Sequence, residues 1–230
     1  MKDVLVQSAY FGVVLSLLAF YVGSWAKKKL KKEFVNPLLI SVLLVIAVLV
    51  VFHISYDTYE ASAKYLSYLL TPTTVCLAVP LYEQLSQLKR HWKAIFAGIF
   101  AGALTSMASV LVMSVLFGLT HEQYVTLLPK SVTTAIGIGV VEELGGVVSI
   151  AATVIVITGV LGNMIGESLL KRFHITEPVA KGVALGTAAH AVGTAKAMEL
   201  GEIEGAMSGL SIAVSGLITA VGASIFAMLW

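Results

Sequence analysis

The sequence predicts an all-α, polytopic membrane protein, and three observations carry that prediction. Of the 230 residues, 58% are hydrophobic and only 12% are charged, against roughly 25% charged in an ordinary soluble domain. Mean hydropathy is +0.93. Uncharged apolar runs recur along the chain, long enough to cross a hydrocarbon layer about 30 Å thick as helices of about 20 residues. The single cysteine, Cys76, excludes a disulfide framework and a cysteine-based metal cluster. A net charge of +2 leaves no electrostatic footprint for nucleic acid.

Residues 4–26, 34–56, 94–120, 144–166 and 205–230 read as spans; they hold no Asp, Glu, Lys or Arg, and His53 is the one group inside them that could carry a positive charge. Two further stretches are apolar but interrupted. Residues 65–82 contain Thr71-Pro72-Thr73-Thr74 and Pro80; residues 125–141 contain Pro129-Lys130-Ser131-Val132-Thr133-Thr134. A third, residues 182–195, is rich in glycine, alanine and threonine and too short to span alone. Seven or eight membrane elements follow, some of them broken. The first run is too long and too weakly basic at its start for a cleaved leader, and no A-x-A cleavage pattern follows it.

Charge sets the topology. Lys27-Lys28-Lys29-Leu30-Lys31-Lys32 follows the first span, so that loop is cytoplasmic and the N-terminus outside. Lys89-Arg90-His91-Trp92-Lys93 marks a second cytoplasmic loop, and Lys171-Arg172 belongs on the same side. If residues 125–141 crossed fully, Lys171 and Arg172 would face outside; a re-entrant hairpin there removes the conflict.

A shift of 60 residues aligns Thr73-Thr74 with Thr133-Thr134 and Glu83 with Glu143. We read residues 61–118 and 119–178 as repeat units, residues 1–60 as scaffold helices, and residues 179–230 as a histidine-bearing helix plus the last span. Paired interrupted segments in such repeats point to a binding site. Proline breaks the i→i−4 ladder and frees backbone groups, and the amides at a half-helix start carry the positive end of the dipole. Helices starting near Thr73 and near Thr133, with Thr74, Ser131 and Thr134 adding hydroxyls, suit a carboxylate.

At about 100° per residue, Thr187, His190 and Thr194 share one face of a straight helix. Gly182, Gly186, Ala189 and Gly193 form a small-residue stripe beside it that permits close helix contact. An intramembrane histidine is a functional candidate, as a hydrogen-bond donor or proton acceptor; packing between helices is the plain alternative. His53, His91, His121 and His174 read as interfacial. Glu83 reads as interfacial too, Glu142 and Glu143 as a helix-end feature, and Glu199, Glu202 and Glu204 as lying at an aqueous boundary, with Lys196 pairing Glu199. Zincin, Walker, nucleophile-elbow and Cys/His metal patterns are absent from the sequence, so no enzyme, cofactor or metal is expected.

Three strings resemble the LrgB/CidB family of bacterial membrane proteins. They are Leu77-Ala78-Val79-Pro80-Leu81-Tyr82-Glu83-Gln84, Leu128-Pro129-Lys130-Ser131-Val132-Thr133-Thr134, and residues 186–195 with Glu199 and Glu204-Gly205-Ala206. Ala135 stands where that family usually has proline, which leaves the second break to Pro129 and Gly137. The resemblance implies a multi-pass plasma-membrane protein. Bacterial members are described as antiholin-like regulators of murein hydrolases and autolysis, are linked to small carboxylates such as pyruvate, and are paired with an LrgA/CidA-type partner. Plant relatives imply glycolate and glycerate transport.

Two function classes follow. In a secondary transporter of small carboxylates, the threonine pairs, Ser131, Thr187, His190 and Thr194 hold the substrate. In an interaction protein that tunes a holin-like partner, Gly98, Gly102, Ser106 and Ser109 offer a docking face. A homodimer built on the first two helices fits either class.

Overall fold

In the computed structural model, which describes residues 8–30, 35–76 and 78–230 (without the side chains of Leu70, Thr71, Thr74, Ala78 and Pro80), every regular element is a helix. Each proline stands where a helix tolerates one. Pro37 and Pro178 open helices, Pro72 and Pro80 lie in first turns, and Pro129 sits in a turn. In a first turn the missing N–H has no intrahelical partner to lose. The chain divides into two compact units, residues 1–76 and 77–230.

The first unit holds α1 (Phe11–Leu30), α2 (Pro37–Val51), α3 (Tyr56–Ser67) and α4 (Leu70–Cys76). Lys27, Lys28 and Lys29 form the last turn of α1, where cations face the negative end of the dipole; Lys31 and Lys32 lie outside the described residues, as do residues 4–7 of the first expected span. The expected span at 34–56 narrows to α2, 15 residues, or about 22 Å. Asn36 caps it through the Leu38 and Leu39 amides. Gly12 brings α1 and α3 together: its amide donates to Ser62 Oγ at 2.7 Å, and Ser16 meets the Tyr59 hydroxyl at 2.7 Å.

The second unit holds α5 (Ala78–Glu83), α6 (Leu85–Phe117), α7 (His121–Leu127), α8 (Thr134–Leu144), α9 (Val148–Arg172), α10 (Pro178–Leu200) and α11 (Glu202–Ala227). Of the five expected spans, three are helices of membrane-crossing length and apolarity among the described residues: α6, α9 and α11. α6 runs 33 residues, about 50 Å. It therefore absorbs Lys89–Lys93 into its first turns, where a loop was expected. Its outer residues, such as Phe96 and Phe100, and those of α11, such as Leu217 and Val221, are exposed on the chain. Hydrocarbon is the solvent that accepts such a surface.

Packing fixes the directions. Ile95 and Ile99 of α6 cluster with Ala206 and Met207 of α11, while Met107 and Val110 cluster with Ala223. The two helices therefore run the same way. We call the end at Leu85 and Glu202 the near face and the end at Phe117 the far face. α9 begins at the far face, where the Val147 amide donates to Thr126 Oγ1 at 2.8 Å, and ends at the near face. Lys89, Arg90, Lys171 and Arg172 thus share one end of this unit.

Between α6 and α9 the chain doubles back. α7 starts at the far face beside the end of α11, with the Tyr124 hydroxyl donating to the Phe226 carbonyl at 2.8 Å. The turn at 128–133 reaches Ser106, whose hydroxyl donates to Ser131 Oγ at 3.0 Å. Ser106 lies eleven residues inside the end of α6, about 16 Å deep. α8 then returns to the far face, where Gly145 ends it at φ 76°. This re-entrant hairpin is the arrangement that removes the conflict in the charge pattern. Non-helical backbone at such depth survives only when buried in protein. Leu128, Ser131 and Val132 of the turn are all buried, and the Lys130 and Val132 amides donate to the Leu127 and Pro129 carbonyls.

α10 holds a second hairpin that sequence periodicity did not reveal. Ala189 (φ −132°, ψ 17°) and His190 (φ 42°, ψ −136°) leave the helical region. A Cβ on Gly193 would collide with the Leu185 carbonyl, although residues eight apart on a straight helix are about 12 Å apart. The arm 178–188 enters from the near face and the arm 191–200 returns to it, since Gly182 meets Glu204 and Met198 meets Gly205. A hairpin followed by a crossing helix therefore occurs twice in this unit, inserted from opposite faces.

Candidate functional site

Both hairpins end against the middle of α6, and a cavity of about 750 Å³ opens among them. Its wall is mostly apolar. The polar groups at its deep end are Thr105, Ser106 and Ser109 of α6, Lys130 and Ser131 of the first turn, and Thr187 of the second hairpin. Lys130 Nζ donates to Ser106 Oγ at 3.3 Å and to Ser131 Oγ at 3.1 Å. Thr187 is buried and its hydroxyl has no hydrogen-bond partner. Gly102 lets Thr187 approach, because a Cβ there would stand 2.6 Å from Thr187 Cγ2.

The expected site residues distribute unevenly around this cavity. Ser131 and Thr187 line it. Thr133 is the N-cap of α8 and Thr134 its first residue; a helix does begin there, yet neither residue lines the cavity. Gly137 lies inside α8, packed on Ile155, so the turn at Pro129 makes the break without it. Thr73 does not start a helix. α4 begins at Leu70, and the Thr73 amide donates to the Leu69 carbonyl, because Pro72 falls in a first turn and breaks nothing. The side chain of Thr74 lies outside the described residues.

Thr187, His190 and Thr194 do not share a face, since the chain folds back between the first and the second. His190 Nε2 donates to the Ile155 carbonyl of α9 at 3.0 Å. Thr194 donates to the His190 carbonyl at 3.1 Å and shares a 2.7 Å hydrogen bond with Ser208 of α11. Both residues hold the second tip together. At φ 42° and ψ −136° His190 occupies a region natural to glycine. His190→Ala keeps that strain and orphans a buried carbonyl, so it should destabilise the protein by about 1–3 kcal/mol. Thermal melts in detergent measure it, and an unchanged melting temperature would exclude the role.

Near-face ion pairs close the base of the second hairpin. Glu167 of α9 bonds Lys171 at 2.8 Å and Lys196 at 2.7 Å, and Lys196 also reaches Glu199 at 3.2 Å as expected. Lys181 approaches Glu204 at 3.9 Å; Glu204 is buried, where an aqueous boundary was expected. Glu142 and Glu143 are exposed at the end of α8.

Lys130 and Ser106 are the residues that sequence reasoning passed over. Between Lys93 and Glu142 the charged residues are Glu122 and Lys130, and Lys130 sits in an apolar stretch beside a helix break. That isolation was the available signal. Ser106 was grouped with Gly98, Gly102 and Ser109 as an outward docking face; that face lines the protein's own cavity and packs on Val183 and Thr187.

Residues 16–229 match the LrgB-like family, nearly the whole chain and all of this site. The chain belongs to the LrgB-like family. It is 35% identical over 216 residues to the antiholin-like protein LrgB of Bacillus mycoides, covering 94% of each chain. The antiholin-like proteins LrgB of Bacillus cereus and Bacillus anthracis match to the same extent. No solved structure matches this LrgB-like chain.

Proposed function

We propose that this LrgB-like protein is a secondary transporter of small carboxylates, such as glycolate, glycerate or pyruvate, in the bacterial plasma membrane. The observation that carries this is the meeting of two hairpins, inserted from opposite faces, at one cavity with polar groups at its deep end. Discontinuous helices that meet near the bilayer midplane are a common way to hold a substrate within reach of both sides. The shared basic end of α6 and α9 supports a cytoplasmic near face by the positive-inside rule, and the lysines at the end of α1 support an N-terminus outside. α1 and α2 supply a dimer scaffold, and no enzymatic step is involved.

The test is uptake of labelled glycolate and pyruvate into proteoliposomes. Saturable flux well above that of empty liposomes is the expected result. Flux equal to the empty control for both acids overturns the reading.

A second reading rests on the names of the relatives, which are called antiholin-like. In it the protein regulates murein hydrolases together with an LrgA/CidA-type partner. Co-purification with such a partner, combined with absence of flux, selects this reading over transport.

A further inference from the structure

The cavity's deep end has the chemistry of a specific anion site. Lys130 Nζ spends two of its three hydrogens on the Ser106 and Ser131 hydroxyls. Ser106 donates to Ser131 as well, so Ser131 accepts twice and keeps its own hydrogen to give. One ammonium hydrogen and one hydroxyl hydrogen thus stand side by side, which is the demand of the two oxygens of one carboxylate. Among the described residues no carboxylate neutralises Lys130; its hydrogen bonds go to hydroxyls alone. An ammonium at membrane depth requires a counter-charge. Across the cavity the buried Thr187 hydroxyl lacks a partner, and an unpaired buried hydroxyl is costly in the same way.

We propose that Lys130 and Ser131 bind the carboxylate of a small acid, and that Thr187 binds a second polar atom of the same molecule. This deepens the carboxylate-transport reading and rests on it only for the ligand's route. One cation at the deep end matches a single carboxylate. The other titratable groups lining the cavity, His91 near the start of α6 and Glu177 capping α10, belong to its near-face mouth. Glu177 opposes a second carboxylate there, so the site prefers a monocarboxylate with a hydroxyl or keto group to a dicarboxylate.

Binding to the purified full-length protein, by calorimetry and thermal shift, tests this with glycolate, propionate and succinate. Glycolate should bind more tightly than propionate, which lacks the second polar atom, and more tightly than succinate. Lys130→Met should weaken glycolate by about tenfold or more, while Lys130→Arg keeps most of the affinity. Thr187→Val should weaken glycolate by about tenfold and leave propionate unchanged. If Lys130→Met does not fold, Ser131→Ala carries the test, with weaker binding of both monocarboxylates expected. Wild-type glycolate affinity in folded Lys130→Met or Ser131→Ala overturns the site, as does loss of propionate equal to loss of glycolate in Thr187→Val. Lys130-dependent binding without flux keeps this site and removes transport. Flux with an unchanged half-saturation concentration in Lys130→Met keeps transport and removes this site.

Discussion

Replacing Gly186 with leucine should cost the protein its second hairpin. A Cβ at 186 would meet the backbone of α11, with Ser208 Cα at 2.8 Å and its carbonyl oxygen nearer still. A helix backbone cannot yield as a flexible side chain can, so the arm 178–188 must lift off α11. Overpacking of this kind costs about 1–3 kcal/mol when neighbours adjust, and a leucine against backbone exceeds the upper end. The loss also frees Thr194 from Ser208 and opens the wall that carries Thr187. Gly139→Ala is the control: nothing lies within 4 Å of that position, and alanine in a helix gains about 0.5–1 kcal/mol over glycine. Thermal melts of both variants should separate widely, with Gly186→Leu losing its folded peak in gel filtration. Equal melting temperatures would rule out the close approach of α10 and α11.

A labelling pattern is the second large effect. With Cys76→Ser removing the single cysteine, new cysteines at the exposed positions Thr120, Glu143, Arg172 and Glu202 report the faces. Thr120→Cys and Glu143→Cys should react with a membrane-impermeant maleimide from one side only. Arg172→Cys and Glu202→Cys should react from the other side only. A crossing segment in place of the first hairpin would put Thr120 and Glu143 on opposite sides. The pattern is all-or-none, because a charged label does not traverse about 30 Å of hydrocarbon.

Much of the fold was legible in the residues. Apolar length marked α6, α9 and α11, and the placement of lysines and arginines raised a conflict that a doubled-back segment at 125–141 removes, without deciding between it and a full crossing. Pro129 beside Lys130 and the threonines located its turn to within a few residues. The second tip was not legible. Residues 186–195 read as a continuous helix with a small-residue stripe, and no proline marks the break between Ala189 and His190. Its contacts explain why it exists: Gly182 and Gly186 face α11, Ala189 faces Gly162 of α9, and Gly193 faces Leu185 of its own hairpin. One stripe thus serves three partners, which a straight helix could not supply. The histidine drew attention as a substrate group, yet its imidazole is spent on the Ile155 carbonyl. Local sequence shows that a group is polar and lies in an apolar stretch, but not which neighbour meets it.

Composition alone settled the solvent, since a chain with 12% charged residues cannot cover its surface for water. Uncharged apolar runs of about 20 residues settled the secondary structure, because a helix of that length satisfies its own backbone in lipid, whereas barrel strands are about half as long and alternate in polarity. Tertiary packing decided where the charge of Lys130 resides. The same residues 129–134 would leave that ammonium in water at the end of a crossing helix. Here it lies about 16 Å inside the far end of α6, because α7 and α8 fold back and carry it to Ser106. That difference arises from contacts more than twenty residues apart in the chain, which local periodicity does not encode.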